Sequence, residues 1–202
     1  MYTDLCFPEN NEEEYIALAK TLGWHSLCCA YSMKTKQAIQ TRQAQLTALA
    51  QKKKIPLFLG IVADKPSHLL HEQSCLVISR SSPATARTLL ETSALDLVYD
   101  LENDSKKDPL HFRRSGLNQV LCALARKNNI AVGFAFSSLL STENRPERMG
   151  RIMQNIRLGR KFKLYMVVAS FARKPSEMRA PRDLMSLAVS LGMRLPEAHL
   201  AL

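Results

Sequence analysis

Residues 113–136 read RRSGLNQVLCALARKNNIAVGFAF, and residues 144–172 read NRPERMGRIMQNIRLGRKFKLYMVVASFA. Each stretch is a helical pattern that runs straight into a short apolar one. In the first, Leu117, Val120, Leu121 and Leu124 stand at i, i+3, i+4 and i+7, which lays one apolar stripe along a helix. Met149, Ile152, Met153 and Ile156 repeat that spacing in the second. The segments that follow, Ile130–Phe136 and Leu164–Ser170, do not alternate polar with apolar. They read as strands buried on both faces, and such strands belong to a parallel sheet covered by helices.

The same alternation extends back to the start of the chain. Strand-like segments begin near Met1, Ser26, Leu57, Cys75 and Asp96, giving about seven in all with the two above. Glu12–Leu22 opens on acidic residues and stops at Gly23, as a helix aligned with its dipole does. Lys36–Lys53 is a second helix, a short one is expected between Lys65 and Ser74, and Pro83 opens PATARTLLETSA. After Gly192, RLPEAHLAL reads as a last helix with Pro196 in its first turn. Parallel neighbours need crossovers, so the expectation is an α/β fold in a single domain, residues 1–202. Pattern alone leaves a closed barrel and an open sheet both standing.

The chain is 46% hydrophobic, enough for a sizeable core without disulfides. Its apolar runs are too short to cross a bilayer and no signal-peptide pattern opens it, so no membrane contact and a cytoplasmic location are expected. Cys6, Cys28, Cys29, Cys75 and Cys122 have no metal-ligand spacing and read as small core residues. Charge is divided unevenly: residues 111–202 carry 16 Lys and Arg against 5 Asp and Glu, whereas residues 1–110 carry 12 against 13. Arg145, Arg148 and Arg151 recur every third position, a spacing that gathers them on about a third of a helix's circumference. One such arginine is ordinarily a solvated side chain, but a set with so few acids among it points to a polyanion partner.

Catalytic signatures are missing from the sequence. There is no phosphate-binding glycine loop and no nucleophile elbow. The histidines, His25, His68, His71, His111 and His199, are scattered; His68 and His71 lack a third ligand, and His111, before Phe112, Arg113 and Arg114, either contacts a nucleotide or caps the loop, the structural role being favoured. Ser115 could cap a helix while Gly116 lets a phosphate approach its N-terminus. Aromatic residues make up 6% of the chain and most, such as Phe134, Phe136 and Phe162, fall at core-like positions, which favours contact with the backbone and shape of a folded RNA over stacking on bases. The polar loops 102–112 and 172–183 each follow a strand, so both fall on the carboxyl-end face where such folds keep their function.

HFRRSGLNQVLCALARKNNIAVGFAFSSLL, RPERMGRIMQNIRLGRKFKLYMVVAS, RAPRDLMSLAVSLGM and the opening YTDLCF resemble the archaeal RNase P protein component 3 family, from about residue 2 to about residue 195. That resemblance implies a TIM-barrel-like parallel (β/α) barrel, here with about seven clear strands and its closure left open. It implies a subunit of ribonuclease P, the ribonucleoprotein endonuclease (a hydrolase) of tRNA processing that removes the 5′ leader from precursor tRNA. The chemistry would lie in the RNA with its Mg2+, leaving this chain no catalytic residue, metal or cofactor. Implied partners are the RNase P RNA, precursor tRNA indirectly, and a small RNase P protein subunit. Candidate RNA-binding residues are Arg80, Arg113, Arg114, Arg145, Arg148, Arg151, Arg160, Lys161, Lys163, Arg173, Arg179 and Arg182. For the protein partner, the stripe Leu184, Leu187, Ala188 and Leu191 is the expected face. The alternative is a metal-dependent phosphoesterase of the related barrel family with altered ligands. That family ends its first strand in a His-x-His pair, and here the place reads DLCFPEN, which keeps only Asp4, expected to be a hydrogen-bonded strand-end residue.

Overall fold

A computed structural model describes residues 1–66, 75–140 and 144–202. Its elements run β1 (Thr3–Cys6), α1 (Glu12–Leu22), β2 (Ser26–Tyr31), α2 (Lys36–Lys53), β3 (Leu57–Val62), β4 (Leu76–Arg80), α3 (Ala86–Glu91) and β5 (Leu97–Tyr99). They continue with α4 (Gln119–Lys127), β6 (Ala131–Ala135), α5 (Phe136–Leu140), α6 (Arg145–Phe162), β7 (Met166–Ala169), a 3-10 turn (Pro175–Glu177), α7 (Pro181–Ser190) and α8 (Leu195–Leu200). The short helix expected within Lys65–Ser74 lies mostly outside the described residues, as do His68 and His71.

The seven strands form one sheet in sequence order, each paired parallel with the next. The sheet curls into a TIM-barrel-like ring that is nearly closed. Its seam lies between β1 and β7, which share no continuous ladder. At the carboxyl end, the Phe7 amide donates to the Ala172 carbonyl at 2.8 Å beside an isolated Cys6–Ala172 bridge. In the middle, the Asp4 carboxylate accepts from the Ser170 amide at 2.7 Å and the Ser170 hydroxyl at 2.6 Å. At the other end the last residues fill the gap: Val168 N–H donates to Ala201 at 2.7 Å, and Thr3 N–H to Leu202 at 2.9 Å. Asp4 is thus hydrogen-bonded as expected, but it lies within β1 and not at its end, and it bridges the seam.

Two cores follow from strands buried on both faces. Leu5, Cys28, Ile78, Leu97, Ala135 and Ala169 fill the barrel interior, and Phe171 stacks on Tyr99 across its carboxyl end with ring centroids 4.8 Å apart. Gly133 makes room for that stack, since a Cβ there would lie 2.9 Å from the Phe171 ring. The larger core, including Leu27, Ile39, Ile61, Leu90, Ile130, Ile152 and Ile156, lies between sheet and helices. Burying each such side chain contributes about 1.5–3 kcal/mol.

Three local readings change. Helix α4 starts at Gln119, not near Arg113, because Asn118 accepts from the Leu121 amide at 2.9 Å and caps it. Ser115 is therefore not the cap; its carbonyl accepts from Asn155 Nδ2 at 2.7 Å. The buried face of α4 is set by Cys122 and Ala125, and Val120 is left 59% exposed. Pro83 sits in the turn before α3, where the Ala86 amide donates to the Ser82 carbonyl at 3.0 Å. Finally, the α7 stripe is not a free face. Leu184, Ala188 and Leu191 are buried in the main core and Leu187 packs against it, which overturns their expected role as the partner surface.

Candidate nucleic-acid interface

Helix α6 carries five of the twelve expected contact residues, and what each side chain touches divides them. The helix has Pro146 in its first turn and ends at Lys163, which adopts φ 54°. Its buried face includes Arg151, Ile152, Asn155, Ile156 and Gly159. Arg145 Nε donates to the Leu139 carbonyl at 2.8 Å. Arg148 donates to the Ser138 carbonyl at 2.6 Å and to Asn103 Oδ1. Arg151 is only 3% exposed. Its Nη1 donates to the carbonyls of Glu102 at 3.2 Å and Asp104 at 2.7 Å, and its Nη2 to that of Lys106 at 2.7 Å. Its Nε and Nη2 also meet Asp108 Oδ1 at 2.8 and 2.7 Å.

The triplet is therefore not one solvent-facing row. Arg145 and Arg148 hold the end of α5, and Arg151 turns inward to clamp the loop between β5 and α4. Asp108 completes the clamp by accepting from the Arg114 amide at 2.9 Å. Arg114 Nε reaches the Lys107 carbonyl at 3.2 Å, and Arg113 Nη1 reaches the Gly150 carbonyl at 2.7 Å. Gly116 takes φ +79° at the end of this loop, and a Cβ on it would lie 1.9 Å from the Leu101 carbonyl oxygen. The glycine is thus needed for packing against the chain's own backbone and not for a phosphate.

A second group gathers at the carboxyl end of the barrel. Arg80 Nε pairs with Asp100 Oδ2 at 2.8 Å, and Ser138 Oγ donates to Asp100 Oδ1 at 2.5 Å. Arg173 lies over the Phe7 ring at 5.5 Å, and Arg179 over Phe136 at 5.1 Å while donating to the Ser176 and Met178 carbonyls. In the loop after β5, two residues beyond Asp100, Glu102 is fully buried and neither carboxylate oxygen has a hydrogen-bond partner. Burial, with Asp100 nearby, pushes its carboxyl up to about 8. Burial also raises Asp4 to about 6, against the opposing pull of its Ser170 hydrogen bonds.

The remaining candidates lie at the far end of α6 and beyond. Arg160 forks onto Glu197 at 2.7 and 2.6 Å, and that pairing pulls Glu197 down to about 2. Lys161, Lys163 and Arg182 are exposed. The structure thus brings together Arg113, Arg114, Arg148 and Arg151 around one loop and Arg80 with Arg173 at the barrel mouth. Arg160, Lys161 and Lys163 stand near the end of α6, some 15 Å along its axis from Arg151 at about 1.5 Å per residue.

Sequence reasoning missed what that clamped loop displays. Phe112 is 58% exposed and Leu110 93%, with His111, Lys106 and Lys107 also exposed beside them. An aromatic at the end of the most polar loop, where the basic half begins, was the available signal. Arg157, also exposed on α6, was passed over as well.

Among the described residues no group of three or more His, Cys, Asp or Glu is placed to hold a metal ion, and Cys6, Cys28, Cys29 and Cys122 are buried thiols. Among the described residues no helix is long and apolar enough to cross a membrane.

The chain is similar to proteins named ribonuclease P protein component 3. The one from Methanococcoides burtonii is 25% identical over 203 residues, covering 96% of this chain and 78% of that one. The one from Methanosarcina barkeri is 27% identical over 203 residues, covering 94% and 78%. A Thermococcus kodakarensis relative is 33% identical over 99 residues, a match that spans only 48% of this chain and 42% of that protein. In structure the chain resembles one in a cryo-EM structure of archaeal ribonuclease P with mature tRNA, with a TM-score of 0.80, 20% identity, and coverage of 98% of this chain and 86% of that one. The family model for RNase P subunit p30 matches residues 1–202, and the chain belongs to that family.

Proposed function

We propose that this chain is a protein subunit of ribonuclease P, the ribonucleoprotein that removes the 5′ leader from precursor tRNA. The observation that carries the reading is the family match along the whole of residues 1–202. The charge division supports a direct contact with RNase P RNA, because the basic excess lies wholly in residues 111–202. Lys and Arg there would displace counterions and relieve repulsion where RNA segments approach one another. The clamp geometry sorts the contact residues. Arg151 is committed within the fold, whereas Arg113, Lys161, Lys163, Arg173 and Arg182 are exposed. In this reading the RNA and its Mg2+ carry the chemistry, precursor tRNA is met indirectly, and a small protein subunit is the direct protein partner.

The test is reconstitution of precursor-tRNA cleavage by the cognate RNase P RNA at limiting Mg2+, with and without this chain and its partner subunit. Stimulation is expected. It should be lost, with a shallower salt dependence of RNA binding, when Lys161, Lys163, Arg173 and Arg182 are changed to Gln. Absence of stimulation, with RNA and partner both competent, would overturn the assignment.

A further inference from the structure

The loop that Arg151 clamps ends in an exposed ring between two open clefts. One, of about 490 Å³, is lined by residues including His111, Phe112, Arg113, Met153, Gln154 and Arg157. The other, of about 480 Å³, includes Phe112, Arg113, Arg114, Leu117, Val120 and Leu121. Phe112 and Arg113 are common to both. Arg114 lines only the second, where its guanidinium stands 5.7 Å from the Phe112 ring centroid. The first cleft pairs the Phe112 ring with Leu110, Met153, Gln154 and two arginines, its one acid being the Asp108 that Arg151 holds, and each volume is ample for a nucleobase.

The charge around the ring is one-sided. Lys106, Lys107, His111, Arg113 and Arg157 are exposed. The acids nearby are engaged: Asp108 with Arg151, and Asp104 with Arg114 at 3.9 Å. An apolar protein segment would find little to answer these cations unless it were strongly acidic. A nucleotide answers both features at once, since every base offers a face to an aromatic ring and every phosphate a charge to an arginine. Nor is the platform loose. Three backbone carbonyls and Asp108 bind it to the buried Arg151, so the ring is held out before any ligand arrives.

We infer that Phe112 is a stacking platform for an unpaired base of a folded RNA, with Arg113 and Arg157 taking the flanking phosphates. The inference rests on the ribonuclease P reading and adds base stacking to its phosphate contact. Its test uses the full chain and the cognate RNase P RNA, with binding measured across a salt series for Phe112→Ala, Phe112→Trp and Arg113→Gln. Phe112→Ala should bind about 5- to 100-fold more weakly with an unchanged salt slope, as loss of one stacked base requires. Arg113→Gln should instead weaken binding and reduce the slope by about one. Phe112→Trp should keep affinity, and its indole fluorescence should be quenched by RNA against the constant signal of the buried Trp24. Unchanged affinity of Phe112→Ala, with wild type binding normally, overturns the platform and leaves the subunit assignment standing. Normal RNA binding by Phe112→Ala combined with lost stimulation in the reconstituted enzyme makes the ring a protein contact and likewise overturns it. Failure of the wild-type chain to bind the RNA even with its partner subunit present, together with absence of stimulation in the reconstituted enzyme, removes both.

Discussion

Removing the Arg151 guanidinium would take the donor from three backbone carbonyls and the charge partner from the partly buried Asp108, which would keep only the Arg114 amide. Breaking such a buried network by deleting one partner costs about 3 kcal/mol or more. Arg151→Met should therefore lower the urea midpoint substantially, whereas Arg157→Met on the exposed face should move it little; equal effects would contradict the clamp. Glu102 supplies a second prediction of different sign. Its carboxyl titrates near 4.5 when unfolded and near 8 in the fold, so the folded state holds the proton more tightly. Stability from that proton is complete below about 4.5 and is lost as pH rises through about 8, at up to about 1.4 kcal/mol per pH unit. Asp4 acts in the same direction lower down, between its ordinary 3.8 and about 6. Denaturation midpoints taken from pH 5 to pH 9 should fall, and Glu102→Gln should flatten the portion above about pH 6.

Among the elements, α7 shows how an apolar stripe can be read correctly and assigned wrongly. Leu184 is wholly buried against the barrel, so Leu184→Ala should cost about 2–5 kcal/mol in chemical denaturation. A residue on a free docking face would cost close to nothing, and that result would restore the partner-surface assignment. Spacing places side chains around a helix axis but does not say which arc meets the sheet and which meets a loop returning over it. The arginines of α6 failed to be legible for the same reason: Arg145 and Arg148 turn back onto carbonyls of the preceding α5, while the partners of Arg151 lie in the β5–α4 loop, more than 40 residues away in sequence. The strands were legible because burial on both faces writes itself into composition. Helices α1 and α2 were also legible, bounded by acidic residues and Gly23 in one case and by Thr35 and Lys54 in the other. The start of α4 was not, since Leu117 continues the apolar spacing although Gly116 and Asn118 have already ended it.

At the scale of the molecule, strand number and parallel order could be read from the sequence, and closure could not. Whether seven strands make a ring depends on a hydrogen-bonded seam between residues some 170 positions apart, for which no local pattern exists. The candidate site divides similarly: the basic half was visible in a count of charges, while the exposed ring of Phe112 became visible only once the loop beneath it was pinned. The seam has one more consequence. The Thr3 amide meets the Leu202 carbonyl at 2.9 Å, so the first strand and the last residue are neighbours. Every other strand pair is formed by segments adjacent in the chain. The order around the barrel is therefore close to cyclic, with β1 and β7 joined by an isolated bridge, the Asp4–Ser170 bonds and the last residues where the other strands have ladders. A chain rejoined from Leu202 to Met1 by a short linker and opened between the exposed Asp64 and Lys65 would inscribe the same ring of strands, beginning its synthesis at a different hour of the same clock.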